Sequence, residues 1–359
     1  MRIGVNALYL IPGGVGGTEI YLRNLLRALA EIDRENEYVV FTNQETGRDL
    51  TPDASNFKWA QQRVRASFRP SRILFEQFAL PRAVRRERVD VLFNPGFTAP
   101  AFCSCPSVTV FHDLQHKRHP EFFRWFDLPF WRLLLWSSVR RSRTLIAVSH
   151  ATAEDLNRYY GVDATVIHHG VEPAFFELAA RREPKDYLLC VSTSHPHKNL
   201  ERLIRVHERM PDAPELVITG LHGFAAEQVR KAASPRTRLT GWIPREELYE
   251  LYRCARAFVY PSTFEGFGMP VLEAMAAGVP VACSDIPPLR EVAGDNATFF
   301  NPLRDESMRR AMETIVDAPP PTSRARDHAA AFTWRKTAQE TLATLARAAG
   351  RTASAAIPA

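Results

Sequence analysis

Two glutamates stand eight residues apart in "EGFGMPVLE", Glu265 and Glu273, with Gly266 and Gly268 between them. Such a pair suits a general acid and base, a metal site, or acceptors for the hydroxyls of a diol. Pro270 fits the first position of a helix and Gly278 the position just past its end. The glycines would then lie at a helix N-terminus, with backbone amides open to a phosphate. Bare carboxylates would repel that phosphate, so the glutamates are expected to face hydroxyls. Capping by an acid in the first turn accounts for Glu273 but not for Glu265.

Three other stretches carry candidate chemistry. Lys198, in "STSHPHKN", sits just before a helix, where an ammonium can neutralise a departing diphosphate. His195 and His197 beside it lack a third partner for a metal. His112 and Asp113 close "SVTVFHD"; the imidazole suits a base or a hydroxyl ligand, and a structural role serves equally. In "PGGVGGTE", Gly16 and Gly17 allow close approach to a phosphate. The loop is not a dinucleotide fingerprint. Glu19 stands where the third Gly or Ala belongs, and the next strand ends "VVFTN" without a ribose-binding acid.

These loops need strands to hold them. Short β-rich runs alternate with helical segments, the pattern of parallel α/β layers. "RIGVN", "YVVFTN", "VDVLFNPG", "SVTVFHD" and "TLIAVS" form a first series, with a helix over about 18–32. "YLLCVS", "ELVITG", "TRLTGW", "AFVYPS" and "VPVACS" form a second, with helices over 199–210, 245–254 and 270–277. The expected architecture is two Rossmann-like domains facing a central cleft, residues 1–170 and 171–335. A final helix and tail, 336–359, could pack on either domain. Every candidate above lies beyond a strand's carboxyl end, where open parallel sheets bind ligands.

Composition narrows the classes. No apolar run reaches the roughly 20 residues of a membrane span, and "MRIGVNALYL" lacks signal-peptide features. Five sparse cysteines are expected to be reduced, and Cys103 and Cys105 find no second pair for zinc. Nothing resembles a nucleic-acid module, so no nucleic-acid partner is expected. These features suit a cytoplasmic protein. Residues 63–88 hold eight arginines against two glutamates, an excess equal to the whole chain's net +6. Such a stretch suits an anionic partner or a solvated helix face. The aromatic run "EFFRWFDLPFWRLLLW" reads as a core helix or as a membrane-facing one.

Together these motifs resemble the family-4 retaining glycosyltransferases of the GT-B fold, over nearly the whole chain. "GGVGGTE" looks like the family's glycine loop, and "VTVFHD" like its central histidine motif. "AVSHATAEDL" and "VIHHGVEPAFF" look like its hinge-side motifs, and "HKN" like its phosphate lysine. The donor block is "GWIPREELYELYRCARAFVYPSTFEGFGMPVLEAMAAGVPVACSD", and its glutamate pair is the most specific element. The resemblance implies a nucleotide-diphosphate sugar as co-substrate, no cofactor and no divalent metal. It implies that Lys198 stabilises the leaving diphosphate, with His197 beside it. It places Glu265 on the transferred sugar and Glu273 on the donor ribose. Phe267, Gly268 and Met269 would lie against sugar and phosphate, and Trp242 and Ile243 beside the nucleobase. Gly16 and Gly17 would border the diphosphate, and His112 would hold the sugar or polarise the acceptor.

Asp113, Arg63, Arg65, Arg69 and Arg72 are assigned to the acceptor or a membrane. A saccharide or polyprenyl-diphosphate-linked acceptor fits them, with peripheral contact at the inner membrane face as an option. The family suggests mannose from GDP-mannose; UDP-glucose, UDP-galactose, UDP-GlcNAc and dTDP-rhamnose stay open, as does a non-catalytic relative. One departure stands out. Many members carry an arginine immediately before the lysine or about six residues earlier, where this chain has His197 and Ser192 or Thr193. Either His197 is protonated when donor binds, or another arginine reaches in.

Overall fold

Fully buried parallel strands are covered on both faces and read as continuous apolar runs; two such sheets organise the chain. A computed structural model describes residues 1–14, 16–220, 223 and 225–351. The chain divides into two units, Met1–Gly170 together with Trp334 onward, and Val171–Thr333. The expected frayed tail beyond Arg351 lies outside the described residues.

In the first unit the strands are β1 (Arg2–Ala7), β2 (Glu37–Thr42), β3 (Phe57–Gln61), β4 (Val91–Asn94), β5 (Ser107–Phe111), β6 (Thr144–Ala147) and β7 (Thr165–Val166). Among the described residues they pair in the order β3-β2-β1-β4-β5-β6-β7, and every pairing is parallel. The order reverses direction between β1 and β4, so the loops after β1, β4 and β5 gather at one crevice. Apolar clusters cover the sheet, Phe41, Val84 and Leu92 in one and Phe111, Val139 and Leu156 in another. β3 is an edge strand with Lys58, Trp59 and Gln61 exposed. Its weak apolar pattern hides it from a sequence reading. The helix Trp334–Ala348 packs on the helix Gly17–Ile32. The first unit is thus completed by residues that follow the whole of the second.

The second unit has β8 (Tyr187–Val191), β9 (Glu215–Thr219), β10 (Thr237–Gly241), β11 (Ala257–Tyr260), β12 (Val281–Ser284) and β13 (Thr298–Phe300), in the order β10-β9-β8-β11-β12-β13. All pairings are again parallel. Leu188, Leu203, Ile218, Val259, Phe300 and Met312 share its core. Here the reversal falls between β8 and β11. Both units are therefore Rossmann-like α/β domains.

Candidate active site

β8 and β11 are neighbours, so the loops leaving their carboxyl ends meet. The Thr263 backbone amide and hydroxyl donate to the His197 carbonyl, at 2.7 and 3.1 Å. The Asn199 side-chain amide donates to the carbonyls of Pro261 and Pro302, at 3.1 and 2.9 Å. Asn199 itself takes φ 57°, a left-handed conformation that asparagine tolerates. It turns the chain from the short turn Pro196–Lys198 into the helix Leu200–Glu208.

The clipped loops deliver Lys198 Nζ to 2.6 Å from Glu265 Oε1 and 3.1 Å from the Tyr260 hydroxyl. The Lys198 and Glu265 side chains are only 13 and 10% exposed. Burial acts to raise the Glu265 pKa, but the Lys198 ammonium, helped by His197, overrides it and holds the carboxyl below its ordinary range. An ammonium carries three donors; two of them are directed at Glu265 and Tyr260.

Glu273 differs. It is the fifth residue of the helix Met269–Ala276, so it does not cap the first turn as the sequence suggested. Its Oε2 accepts from the Tyr252 hydroxyl at 2.9 Å, and Arg245 lies 3.9 Å from Oε1. Arg245 is in turn held by Glu172, which also accepts from Tyr249 at 2.8 Å. Burial raises the Glu273 pKa, and nearby Glu172 adds to this against Arg245 and Tyr252. Two carboxylates eight residues apart are thus driven in opposite directions, Glu265 below the ordinary carboxylate range and Glu273 above it.

Gly268 precedes this helix at φ 114°, and a Cβ there would stand 2.4 Å from Leu289 Cδ2, so only glycine fits. The Phe267 ring is buried against Phe332, 6.3 Å between centroids. Its side chain belongs to the core, and its backbone is what it can offer a ligand. Met269 is half-buried at the helix start. Trp242 and Ile243 follow β10. Trp242 is exposed, and Ile243 lines a shallow depression with Glu246, Glu247 and Glu250.

In the first unit, Gly16 takes φ 58° ahead of the helix Gly17–Ile32, and a Cβ on it would meet no described atom within 4 Å. Glu19, the residue that spoils the dinucleotide pattern, ties this loop. It accepts from the Gly13 amide at 2.8 Å and from Arg23 at 2.8 Å. His112 is buried, and its Nε2–H donates to the Pro95 carbonyl at 2.8 Å, joining the loops after β5 and β4. Its ring packs on Tyr21 and His169, with centroids 5.0 and 5.5 Å away. Asp113 accepts from the Gln115 amide at 2.9 Å and so shapes the following turn.

The arginines separate. Arg63, Arg65 and Arg69 are exposed. Arg72 is buried and paired with Glu76 at 3.5 Å, so it belongs to the interior and not to an acceptor or membrane surface. A partner one helical turn away made this burial possible, a detail hidden inside a basic run.

Comparison with known proteins fixes the family. Residues 15–175 match the model for Glycosyltransferase Family 4, and residues 172–332 match the model for Glycosyl transferases group 1. The chain belongs to the family-4 glycosyltransferases. This glycosyltransferase is 32% identical to the O-antigen chain mannosyltransferase RfbU of Salmonella typhimurium, over 63% of the chain and 65% of that protein. The chain thus spans just under two thirds of that relative's length. It is 26% identical to O-antigen chain mannosyltransferase B of Escherichia coli, over 90% of the chain and 93% of that protein. Among solved structures, sucrose-phosphate synthase from Thermosynechococcus elongatus shares the fold. Its TM-score is 0.77 at 17% identity, covering 97% of this chain and 98% of that one. The fold of the glycosyltransferase is therefore GT-B. No helix among its described residues is long and apolar enough to cross a membrane.

Sequence reasoning passed over Tyr260, Tyr252, Arg245 and Glu172. Arg245 and Glu172 sit inside quoted motifs, but they lie 73 residues apart. Only the fold reveals that they act together on Glu273.

The buried His112 of the glycosyltransferase gives a test. Burial lowers its pKa from 6.5 to about 4, against the opposing bond to Pro95. Between those values the unfolded chain takes up a proton that the folded chain refuses, so stability falls as pH drops below 6.5. His112 is expected to remove about 2 kcal/mol by pH 5. Urea midpoints at pH 7 and pH 5 should differ less in His112→Asn than in the wild type. Residual pH dependence is expected from His116, His169, His195 and His207, which burial shifts the same way.

Proposed function

We propose that this glycosyltransferase moves a mannosyl group from GDP-mannose to a saccharide acceptor in cell-surface polysaccharide synthesis, with retention of configuration and without a divalent metal. The observation that carries the reading is the Lys198–Glu265 pair at the β8–β11 reversal, 2.6 Å apart and nearly buried. The mannosyltransferase names of its relatives support the sugar. Lys198 and the amides opening the helix Met269–Ala276 would take the charge that develops on the departing diphosphate. Glu265 would hold hydroxyls of the transferred sugar, and Glu273 the donor ribose. The acceptor hydroxyl would attack from the face the diphosphate leaves, passing its proton to a diphosphate oxygen. The C–O bond to the diphosphate breaks as the new glycosidic bond forms, so no side-chain nucleophile is required. A polyprenyl-diphosphate-linked saccharide, met in the cytoplasm at the membrane's inner face, suits the exposed arginines of the first unit.

The test is a thermal-shift comparison of GDP-mannose, UDP-glucose, UDP-GlcNAc, UDP-galactose and dTDP-rhamnose, all in EDTA. A ligand at about 100 times its Kd stabilises the folded state by about 2.7 kcal/mol, a rise of several degrees. GDP-mannose is expected to give the rise, and transfer in EDTA should match transfer with added magnesium. A shift confined to a UDP- or dTDP-sugar would replace the donor. Loss of transfer in EDTA, restored by metal, would contradict the metal-free site.

A further inference from the structure

We propose that the outer face of the helix Leu128–Arg141, with the segments beside it, binds the surface of an anionic lipid bilayer. This inference stands on the first unit alone and does not depend on which sugar nucleotide is used.

The helix has two apolar faces where a soluble helix has one. Leu134, Leu135, Ser138 and Val139 are buried and supply its packing. On the other side Phe130, Leu133 and Trp136 are exposed, three residues apart in succession and hence on one stripe. Just before the helix, Trp125 is 84% exposed and Phe126 more than half exposed. Core packing explains none of these positions.

Two cation–π contacts extend the face. The Arg69 guanidinium lies 4.0 Å from the centre of the Trp131 ring. This joins the helical run 69–86, where Leu74 and Phe78 are exposed four residues apart. The Arg141 guanidinium lies 4.8 Å from the Phe102 ring, and that ring is also exposed. Exposed Arg82, Arg124, Arg132 and Arg140 are interleaved with the rings.

Bulky rings set among cations of one sign match a bilayer interface. Indole and phenyl groups enter the headgroup–acyl boundary while guanidinium groups bind lipid phosphates. The charge complement decides the occupant. Arginines dominate the face, so a surface of repeating anions satisfies it.

The test uses the full chain, sedimented with vesicles of phosphatidylcholine alone or containing about 30% phosphatidylglycerol. The wild type is expected to sediment with the anionic vesicles, less so as salt rises, and to stay in solution with the neutral ones. A Phe130→Ser/Leu133→Ser/Trp136→Ser variant should bind at least ~10-fold more weakly, while its melting rise with sugar nucleotide stays as in the wild type. Wild type that ignores anionic vesicles, or a variant that binds them equally, overturns the proposal. So does a dimer in the absence of lipid that the triple variant abolishes, since the face would then belong to a second copy. The sugar-nucleotide shift is a separate readout, so failure of the donor assignment and failure of the membrane face cannot be confused.

Discussion

Glu265→Ala is expected to reduce transfer by more than ~10³-fold while the protein remains folded. This carboxylate has two tasks. It holds Lys198, and under the proposed mechanism it would also accept from hydroxyls of the transferred sugar. Alanine removes both. Glu265→Gln keeps the length and one acceptor oxygen but loses the charge, so it should fall between the two. The fold should hold because the loops stay clipped through Thr263 and Asn199, which do not involve Glu265. Initial rates across donor concentrations, with melting curves on each variant, check the claim. Normal turnover by a folded Glu265→Ala enzyme would end the assignment. An acid limb adds a second signature. The Glu265 pKa is depressed in the folded state, so its stabilising share is present above the ordinary glutamate range and is lost as pH falls through the lower folded value. The alanine variant should lack that share.

Lys198→Ala is expected to lower kcat by ~10²–10³-fold with a smaller change in KM, or about 3–4 kcal/mol of transition-state stabilisation. The ammonium already has an anionic partner before donor binds, so much of its effect is reserved for charge that grows as the diphosphate leaves. Because Lys198 and Glu265 touch, their losses should not add. The double alanine variant is expected to turn over about as slowly as Glu265→Ala alone. Additive losses would mean that the two residues serve separate steps, and the pairing would then be a resting contact only.

Much of this site could be read from the chain, and the rest needed the fold. Val and Leu runs such as "YLLCV" and "AFVY" betray buried parallel strands, because both faces must be apolar. Pro270 and Gly278 bracket a helix because each has a steric reason to stand there. β3 escaped because "FKWAQ" is an edge, with too few apolar residues to announce itself. The sequence of the helix Leu128–Arg141 could not decide between core and surface, since it is apolar on both sides and periodicity marks only one. Lys198 and Glu265 were each legible as chemistry, yet their pairing was not. They are 67 residues apart, and only the adjacency of β8 and β11 brings them together. Arg72 shows the opposite error. Eight arginines in one stretch suggest a surface, but a buried glutamate one turn away can draw one of them inside.

The route of the backbone between the units bears on how the protein is made. The Val171 amide donates to the Phe332 carbonyl at 3.0 Å, and Val171 and Thr333 form a parallel bridge. The second unit therefore enters and leaves through adjacent segments, as an inserted domain does. The helix Trp334–Ala348 comes after it, and the Trp334 ring packs on Tyr21 and His169 at 6.1 and 6.0 Å. A ribosome must synthesise all of Val171–Thr333 before that helix exists, roughly ten to thirty seconds at ordinary elongation rates. Through that interval the nascent first unit carries an uncovered flank on the helix Gly17–Ile32, and the surroundings of His112 lack a wall. The newborn first unit is therefore without its last helix for as long as the second unit is being made.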